Sequence, residues 1–281
     1  MLFPTNRPGL FKPGFTSTTS PILIKRKIPA SGGHEKRRGS IFFRFLFDGK
    51  KGKMKEKIIL FWSGGKDSTM MLHEILESNQ FEIVSLVTTL TDAYDRISMH
   101  GVRRELLEQQ AQSLGLPLSK MFITHKANNE EYEQKWHEIL SVFGEQGVKK
   151  VGFGDIFLED LKHYRDKFIQ ERGFEGVYPL WKKETRSLVG EFIRLGYKAR
   201  VTCVDTKKLD SSFSGRLMDD SFVQDLPSEV DPCGENGEFH SFVSAGPIFK
   251  NDVECFPGEQ VQRDHFCFTD LVPKLGEKVH V

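Results

Sequence analysis

Residues 57–68 read KIILFWSGGKDS and join a short apolar run to a polar, glycine-rich turn. The run Ile58–Trp62 is brief and rich in β-branched and aromatic side chains, which is typical of a strand buried on both faces. Thr69–Ser78 follows with apolar residues at helical spacing. This stretch therefore predicts a buried strand, a tight turn and the start of a helix.

The turn Ser63–Ser68, called the glycine loop below, has the chemistry of an anion site. A helix leaves its first N–H groups unpaired, and its dipole favours negative charge there. Glycine lets the backbone approach an anion closely, lysine adds a cation, and serine hydroxyls donate to phosphate oxygens. We therefore expect a nucleotide phosphate to contact Ser63, Gly64, Gly65, Lys66, Asp67 and Ser68.

The spacing of the glycines excludes two common nucleotide loops. A Walker A loop needs four residues between its first glycine and Gly-Lys-Ser/Thr, and the dinucleotide fingerprint needs separated glycines, whereas Gly64 and Gly65 are adjacent. SGGKDS instead resembles the PP-loop of the N-type ATP pyrophosphatases. That resemblance implies cleavage of ATP between the α and β phosphates and an adenylated intermediate. An ordinary strand–turn–helix junction is the alternative.

Composition describes a globular chain of one or two domains. Of 281 residues, 38% are hydrophobic and 28% charged, and no apolar run approaches the ~18 residues that a membrane span needs. The four cysteines are far apart and form no CxxC pair, which indicates neither a zinc knuckle nor a disulfide framework. A reduced, cytoplasmic enzyme without a membrane partner is the expectation.

Charge divides the chain at about residue 53. Residues 1–53 hold twelve Lys/Arg and two acidic residues, with five prolines, whereas the remainder has 28 basic and 37 acidic residues. The first segment is predicted to be a disordered basic extension, with Met54 as the physiological start; a transit peptide is the rival interpretation. The acidic remainder argues against a nucleic-acid partner.

Strand and helix patterns alternate from Lys55 onward, and this βαβα order predicts a parallel sheet with helices on both faces. An ATP-binding domain at 54–205 and a substrate-binding region at 206–281 are expected, the latter with a helix at 215–224 and an irregular tail with one strand at 262–268. The further predicted strands are 82–89, 120–124, 148–153 and 197–204, and the further helices 100–114, 129–143, 157–172 and 186–195.

Three polar stretches follow predicted strands or lie in loops, where open α/β sheets bind ligands. They are Asp92–Arg103 (DAYDRISMHGVR), Gly152–Arg165 (GFGDIFLEDLKHYR) and Asp231–His240 (DPCGENGEFH). The last, called the acidic loop below, is too rich in glycine for a helix. Its carboxylates, amide and imidazole suit a cationic or polar substrate, a metal or a positioned water; a solvated turn is the alternative.

Together SGGKDS, GDIFLEDLKHYR with Pro179-Leu180-Trp181, and DPCGENGEFH resemble the diphthine–ammonia ligase family over about residues 55–250. The resemblance implies an adenine nucleotide alpha hydrolase-like fold, ATP as a substrate, and an amide made from a carboxylate and ammonia. The family's substrate is the diphthine side chain of translation elongation factor 2. The GDIFLEDL form is similar to the bacterial branch, and since bacteria lack diphthamide, the acceptor (a protein side chain or a small molecule) stays open.

Roles for individual residues follow from this resemblance as hypotheses. Lys66, Glu238 and His240 are the predicted catalytic residues, and Asp67 is predicted either to orient the loop or to help hold Mg²⁺. His100 and Arg103 are predicted on the adenine or phosphate side, with polar decoration of a helix N-terminus as the equal alternative. The predicted substrate and ammonia contacts are Asp155, Glu235, Asn236, Glu238 and His240. Tyr164 and Arg165 are left unassigned, and Cys233 is interpreted as packing.

Two other classes of protein stay open at this stage. A PP-loop enzyme that modifies RNA is expected to carry cysteine pairs and a basic surface, and the chain beyond residue 53 has neither. A nucleotide sensor is expected to bind ATP without any need for the acidic loop. The product distinguishes them, because AMP with pyrophosphate indicates adenylation, ADP indicates phosphorylation, and no product indicates a binding protein.

Overall fold

The computed structural model describes residues 55–92, 95–97, 100–124 and 127–274. The predicted basic extension and Met54 lie outside these residues. Within the described part, the helices are α1 (Lys66–Ser78), α2 (Arg104–Leu114), α3 (Asn129–Glu145), α4 (Glu159–Gln170), α5 (Thr185–Arg194) and α6 (Asp220–Asp225). The strands are β1 (Glu56–Phe61), β2 (Phe81–Thr91), β3 (Arg96–Ile97), β4 (Leu118–Ile123), β5 (Lys150–Gly152), β6 (Glu175–Val177), β7 (Lys198–Asp205), β8 (Phe239–Ala245), β9 (Cys255–Arg263) and β10 (Phe266–Pro273).

The first sheet is mostly parallel, as the alternating pattern predicts. Strand β1 pairs in parallel with β2 on one side and β5 on the other, β4 extends the sheet beyond β2, and β6 extends it beyond β5. Only the two-residue β3 among these strands runs antiparallel to its partner. The chain changes direction across the sheet between β1 and β5, so their carboxyl ends mark the place where such sheets bind ligands.

Helices cover both faces of this sheet, which confirms the predicted fold class. Alternate residues of β1 pack in opposite directions: Ile58 and Leu60 join the larger core with α1, α2 and α5, while Ile59 joins a smaller core with Trp136 of α3. The second sheet packs into the larger core through residues such as Phe242. No helix of the described residues is long and apolar enough to cross a membrane.

The second sheet is antiparallel, in the order β8-β7-β10-β9. The prediction that residues 197–204 form a strand is confirmed, but its place as a fifth parallel strand is wrong, because β7 pairs antiparallel with β8 and β10. Apolar periodicity identifies a strand and does not identify its partner. The partners of β7 lie 30 to 70 residues further along the chain: no strand was predicted at β8, whereas the strand predicted at 262–268 includes the β10 residues that pair with β7.

The carboxyl-terminal elements differ from the prediction in two further ways. The helix predicted at 215–224 begins only at Asp220, since the residues before it pair with β7, with Met218 N–H donating to the Ala199 carbonyl at 2.9 Å. The tail is a hairpin of β9 and β10 rather than one strand at 262–268, and Asp264 takes a left-handed conformation (φ 52°) in its turn. Pro257 and Pro273 led the sequence analysis to expect irregular structure here. Both are compatible with the hairpin, because Pro257 lies in the edge strand β9 and Pro273 ends β10, and these positions tolerate proline.

Candidate active site

A cleft of about 230 Å³ opens beyond the carboxyl ends of β1 and β5. Three segments contribute most of its lining: the glycine loop, the segment from Gly154 into α4, and the acidic loop with the first residues of β8. The first two follow neighbouring parallel strands, and the third is brought over them by the second sheet. The three motifs that the sequence singled out therefore meet at one place.

Close packing determines the conformation of the glycine loop. Gly64 has φ 75°, and a Cβ there would lie 2.9 Å from Gln110 Oε1 and from a methyl group of Leu107. A Cβ on Gly65 would lie 2.9 Å from the backbone oxygen of Ser241 in β8. Both positions require glycine, one for its backbone angle and the other because a strand backbone approaches it.

Helix α1 begins at Lys66 directly after this loop. Its N-cap residue, Gly65, has no side chain to cap the helix, and Ser241 Oγ of β8 accepts from Lys66 N–H at 3.2 Å. The Gly65 carbonyl accepts from Thr69 N–H at 3.1 Å and from Ser68 Oγ at 3.0 Å, and these two bonds stabilise the first turn of the helix. A glycine turn that leads into a helix N-terminus is therefore present where the sequence predicted it, and its contact with an anion stays a prediction.

Lys66 supplies a buried positive charge at this helix start. Its side chain is 1% exposed, lines the cleft and forms an ion pair with Asp67, which keeps 31% exposure. Burial alone lowers the pKa of Lys66, but the charge of Asp67 and the neighbouring Cys233 outweigh this effect and raise it above its ordinary value. Lys66 is therefore a permanent cation at neutral pH. Burial raises the pKa of Asp67, against the opposing effect of Lys66.

The segment after β5 packs directly on the glycine loop. A Cβ on Gly154 would lie 3.0 Å from the backbone of Asp67. Asp155, which is 8% exposed, pairs with Arg165 of α4, and the guanidinium lies 4.9 Å from the ring centre of Phe153. This pair brings a second cation to the cleft wall, held between a carboxylate and an aromatic face.

The acidic loop divides its polar residues between two tasks. Cys233, Glu235 and His240 line the cleft. Glu238 is 4% exposed and does not, and its Oε1 accepts from Asp231 N–H at 3.2 Å and from Asn236 Nδ2 at 3.1 Å. Glu238 thereby closes the loop on itself.

Glu235 links the acidic loop to the segment after β5. Its Oε1 accepts from Ile156 N–H at 2.8 Å, and its own N–H donates to Asp231 Oδ2 at 2.9 Å. Burial, followed by the negative charge of Asp67, raises the pKa of Glu235 to about 7, although the Ile156 N–H opposes this shift. Glu235 is thus a carboxyl group that changes charge near neutral pH.

Two imidazoles, His100 and His240, lie against each other at the cleft wall, with ring centres 4.4 Å apart. Burial lowers the pKa of His240 to about 4 and, together with the neighbouring His240, places that of His100 well below its ordinary value. Both rings are therefore neutral at pH 7. Within the described residues, Nδ1 of His100 is buried and has no hydrogen-bond partner.

Comparison with known proteins identifies the family of this chain. A model of the diphthamide synthase N-terminal domain matches residues 56–176, and one of the diphthamide synthase C-terminal domain matches residues 184–271. The chain belongs to the diphthamide synthase family. The expected family is thus confirmed; the bacterial-type branch stays a prediction.

Several proteins named diphthine–ammonia ligase are similar to this diphthamide synthase family member. The Homo sapiens protein is 23% identical over 214 residues, which cover 68% of this chain and 79% of that protein. The Mus musculus protein is 24% identical over 243 residues, covering 78% and 90%. The Schizosaccharomyces pombe protein is 23% identical over 225 residues, 73% of this chain but 37% of that longer protein.

Most residues that the sequence nominated for this diphthamide synthase family site lie together. Those lining the cleft are Ser63, Gly65, Lys66, Asp67, Ser68, His100, Asp155, Glu235 and His240. Gly64, Arg103, Asn236 and Glu238 are not part of the lining. Gly64 faces Gln110, while Arg103 pairs with Asp270 at 2.6 Å. The individual roles stay predictions.

Sequence reasoning left Arg165 unassigned and missed Ser241 in the lining. Arg165 lies within the GDIFLEDLKHYR stretch, so the motif itself carried a signal. Ser241 directly follows the acidic loop but contacts the glycine loop 175 residues earlier, with its Oγ accepting from Lys66 N–H at 3.2 Å. A contact at that separation leaves no local pattern.

The carboxylates, imidazoles and thiols of the described residues offer few ligands for a metal ion. Among the described residues, no group of three or more His, Cys, Asp or Glu is placed to hold one. Mg²⁺ commonly binds through one or two carboxylates and the substrate's phosphates, a pattern with which Asp67 at the cleft is compatible. Mg²⁺ at Asp67 therefore stays a prediction.

Proposed function

We propose that this chain is an ATP-dependent ligase that adenylates a carboxylate, releases pyrophosphate and forms an amide with ammonia. The observation that carries the proposal is the meeting of two chemistries in one cleft. The glycine loop presents Lys66 and the start of α1, and the acidic loop contributes Glu235 and neutral His240 to the same lining. Membership of the diphthamide synthase family and relatives named diphthine–ammonia ligase support the same reaction.

The β and γ phosphates of ATP are assigned to the glycine loop. Lys66 neutralises charge that builds on phosphate oxygens as pyrophosphate leaves, and the Ser63 and Ser68 hydroxyls donate to them. Arg165 at the cleft wall is a second cation within the same lining. Asp67 is the residue proposed to hold Mg²⁺, which supplies further neutralisation of phosphate charge when bound.

The reaction is proposed to run in two steps. A carboxylate oxygen of the acceptor attacks the α phosphorus, and the bond to the β-phosphate oxygen breaks to release pyrophosphate. Ammonia nitrogen then attacks the carbonyl carbon of the acyl-adenylate, AMP leaves with the electrons of the broken C–O bond, and the nitrogen releases one proton to solvent as the neutral amide forms. Both steps depend on positioning, since each joins two reactants that the cleft holds together.

The acidic loop is proposed to receive ammonia. Ammonium must lose a proton before it attacks, and Glu235, with a pKa raised to about 7, is suited to accept it. His240 is neutral at this pH and offers a ring nitrogen to orient ammonia. Glu238, nominated from the sequence as a catalytic base, is proposed instead to hold the loop, because it lies outside the lining.

The acceptor is proposed to be a carboxylate of the diphthine kind, the compound that gives the relatives their name. The test incubates the purified chain with ATP, ammonium chloride and either a diphthine-bearing acceptor protein or a panel of small carboxylates. Production of AMP and pyrophosphate that depends on both acceptor and ammonium is the expected result. Release of ADP, or no nucleotide cleavage with any acceptor, would contradict the proposal.

Lys66→Ala provides the matching variant for this assay. It removes the buried cation, and we expect pyrophosphate release to fall at least 100-fold. Lys198→Ala, which removes an exposed lysine of β7 outside the cleft, is the control and should keep wild-type activity. Undiminished activity in Lys66→Ala would remove the glycine loop from the reaction.

A further inference from the structure

Gln110 lies on α2, outside the cleft, and is completely buried. Its side chain makes three hydrogen bonds that join three elements. Its Oε1 accepts from Trp62 Nε1 at 2.7 Å, and its Nε2 donates to the Gly64 carbonyl at 3.0 Å and to the Val243 carbonyl at 2.7 Å. Both amide protons and the amide oxygen are therefore satisfied.

The two carbonyls that Gln110 binds belong to parts of the chain that must stay in register. Gly64 is in the glycine loop, and Val243 is in β8, the strand that begins at the end of the acidic loop. Val243 N–H also donates to the Gly64 carbonyl at 2.9 Å. Gln110 thus completes a small ladder between the glycine loop and the second sheet.

This ladder acts on the conformation that the anion site needs. The left-handed backbone of Gly64 turns the chain so that α1 begins two residues later at Lys66. A carbonyl held by two donors fixes the peptide that follows it, and with it the direction of the N–H groups that open the helix. Donors that are fixed before the ligand arrives bind it without a cost of reordering.

We infer that Gln110 is a positioning residue for nucleotide binding, which holds the glycine loop in its binding conformation by tying the Gly64 carbonyl to β8. This inference rests on the proposed function, since it assumes that the loop binds the phosphates of ATP. It adds a residue that touches no substrate. It also gives the second sheet a role in the ATP end of the cleft, in addition to carrying the acidic loop.

Ser113 on the same helix offers a matched comparison. It is also buried and polar, its Oγ donates to the Asn251 carbonyl, and Asn251 N–H donates back to Oγ at 3.1 Å. Ser113 therefore also ties α2 to the segment after β8 but has no bond to the glycine loop. A purely structural role predicts the same behaviour for both residues.

The experiment measures the dissociation constant of ATP by calorimetry and the melting temperature, for the full chain and four variants. Gln110→Met keeps the volume and removes all three bonds. Gln110→Glu keeps the acceptor for Trp62 and removes at least one of the two donations to the carbonyls, because a buried carboxyl group that stays protonated has a single O–H donor. Of the three bonds of Gln110, Trp62→Phe removes only the one from Trp62. Ser113→Ala removes the bonds between Ser113 and Asn251 and serves as the control.

We expect Gln110→Met and Gln110→Glu to weaken ATP binding at least tenfold. The ATP dissociation constants of Trp62→Phe and Ser113→Ala should stay within twofold of the wild-type value. This should hold even where the melting temperatures of these two variants fall as far as those of the Gln110 variants. Unchanged ATP affinity in either Gln110 variant would overturn the inference, as would equal weakening in Ser113→Ala. Failure of both Gln110 variants to fold while Ser113→Ala folds would also overturn it, since Gln110 would then be a general stabilising residue.

The ATP dissociation constant of Lys66→Ala, measured beside these variants, separates this inference from the proposed function. If the wild-type chain binds no ATP, both the proposed function and the role of Gln110 fail. If wild type binds ATP, Lys66→Ala does not, and Gln110→Met binds as wild type does, then only the role of Gln110 fails.

Discussion

The glycine loop and the acidic loop are both short, polar and rich in glycine, but they are held in different ways. The glycine loop has bonds of its own but is also held by two distant elements: β8 packs against it through Ser241, and Gln110 of α2 binds its Gly64 carbonyl. The acidic loop is fixed largely from within, because Glu238 accepts from both Asp231 N–H and the Asn236 amide. The first loop is therefore sensitive to what packs on it, and the second to its own side chains.

The difference changes what a motif residue means in each loop. In the glycine loop, five of the six residues line the cleft, so membership of the motif nearly equals membership of the site. In the acidic loop, Glu235 and Glu238 are three residues apart and chemically alike, yet one lines the cleft and the other closes the loop. Residue type alone therefore identifies the site in the first loop and not in the second.

The largest expected effect comes from adding a methyl group to the glycine loop. Gly65→Ala places a Cβ 2.9 Å from the Ser241 backbone oxygen, so loop or strand must move. We expect a loss of about 1–3 kcal/mol in the free energy of unfolding and a fall of at least about 100-fold in pyrophosphate release, because a misplaced anion site misaligns the phosphates. Urea denaturation and the pyrophosphate assay measure the two quantities.

Gly237→Ala is the matched change in the acidic loop. A Cβ there meets nothing within 4 Å, but φ is 81°, so the expected cost is about 1–2 kcal/mol of backbone strain with activity within a few-fold of wild type. Gly190→Ala, in an open position on α5, should stabilise the chain by up to about 1 kcal/mol. Equal activity losses in the Gly65 and Gly237 variants would contradict the difference between the loops.

The second prediction compares the two glutamates of the acidic loop. Glu235→Gln keeps an acceptor for Ile156 N–H but removes the titrating carboxyl from the cleft, so we expect turnover to fall at least about tenfold. Glu238→Gln puts an amide donor where Oε2 is buried and has no partner within the described residues. Its expected cost is about 1–3 kcal/mol of unfolding free energy, with turnover within about threefold of wild type.

Turnover and denaturation midpoints of these two variants, measured side by side, test the division of tasks. A Glu238→Gln enzyme of normal stability and strongly reduced turnover would return Glu238 to the chemistry. Restored ammonia use by Glu235→Gln at higher pH would support its role as proton acceptor, since more free ammonia is then present.

Much of this structure could be predicted from local sequence. The strand, turn and helix around Ser63–Ser68 follow from twelve consecutive residues, because strand burial, glycine and helix start are short-range properties. The parallel first sheet follows from the alternation of strands and helices. Prediction of the glycine loop therefore required no knowledge of contacts with distant parts of the chain.

Other features depend on contacts between distant residues and could not be predicted. The antiparallel pairing of β7 with β8 and β10 is set by which segments meet, and nothing within β7 encodes it. The exclusion of Glu238 from the cleft depends on the fold of the loop back onto Asp231. Gln110 belongs to no recognisable motif, and its hydrogen-bond partners Gly64 and Val243 are 46 and 133 residues away in the sequence.

The third prediction concerns pH and again separates residues of the acidic loop. The pKa of Glu235 is raised from 4.5 to about 7, so its stabilising contribution is present below pH 4.5 and is lost as pH rises to about 7. The pKa of His240 is lowered from 6.5 to about 4, so its contribution is present above pH 6.5 and is lost as pH falls to about 4. The two contributions partly cancel in wild type.

Single variants should expose each contribution. As pH increases from 5 to 7, the free energy of unfolding of Glu235→Gln should rise relative to that of wild type. Over the same increase in pH, that of His240→Asn should fall relative to that of wild type. Urea denaturation at several pH values measures both differences, and Gly190→Ala, which removes no titrating group, should differ from wild type by a constant amount. Parallel curves for all three variants would refute the opposite shifts.

The smallest expected effect belongs to Arg103, which the sequence nominated for the nucleotide. Its guanidinium instead holds Asp270 of β10 through Nη2 at 2.6 Å and Nε at 3.1 Å, and Arg96 binds the same carboxylate at 2.7 Å. Arg103 is 39% exposed, so its ion pair is expected to contribute only about 1 kcal/mol or less. Asp270 also keeps Arg96 when Arg103 is replaced.

Arg103→Met should therefore lower the free energy of unfolding by about 1 kcal/mol or less and leave the ATP dissociation constant within about twofold of wild type. Asp270→Asn removes the charge that holds both Arg96 and Arg103, so it should cost more stability than Arg103→Met but should leave the ATP dissociation constant equally unchanged. This pair joins the start of α2 to β10, whereas Gln110 joins α2 to the glycine loop itself. A tenfold loss of ATP affinity in Arg103→Met alone would place Arg103 on the nucleotide, because loss of the ion pair would affect both variants.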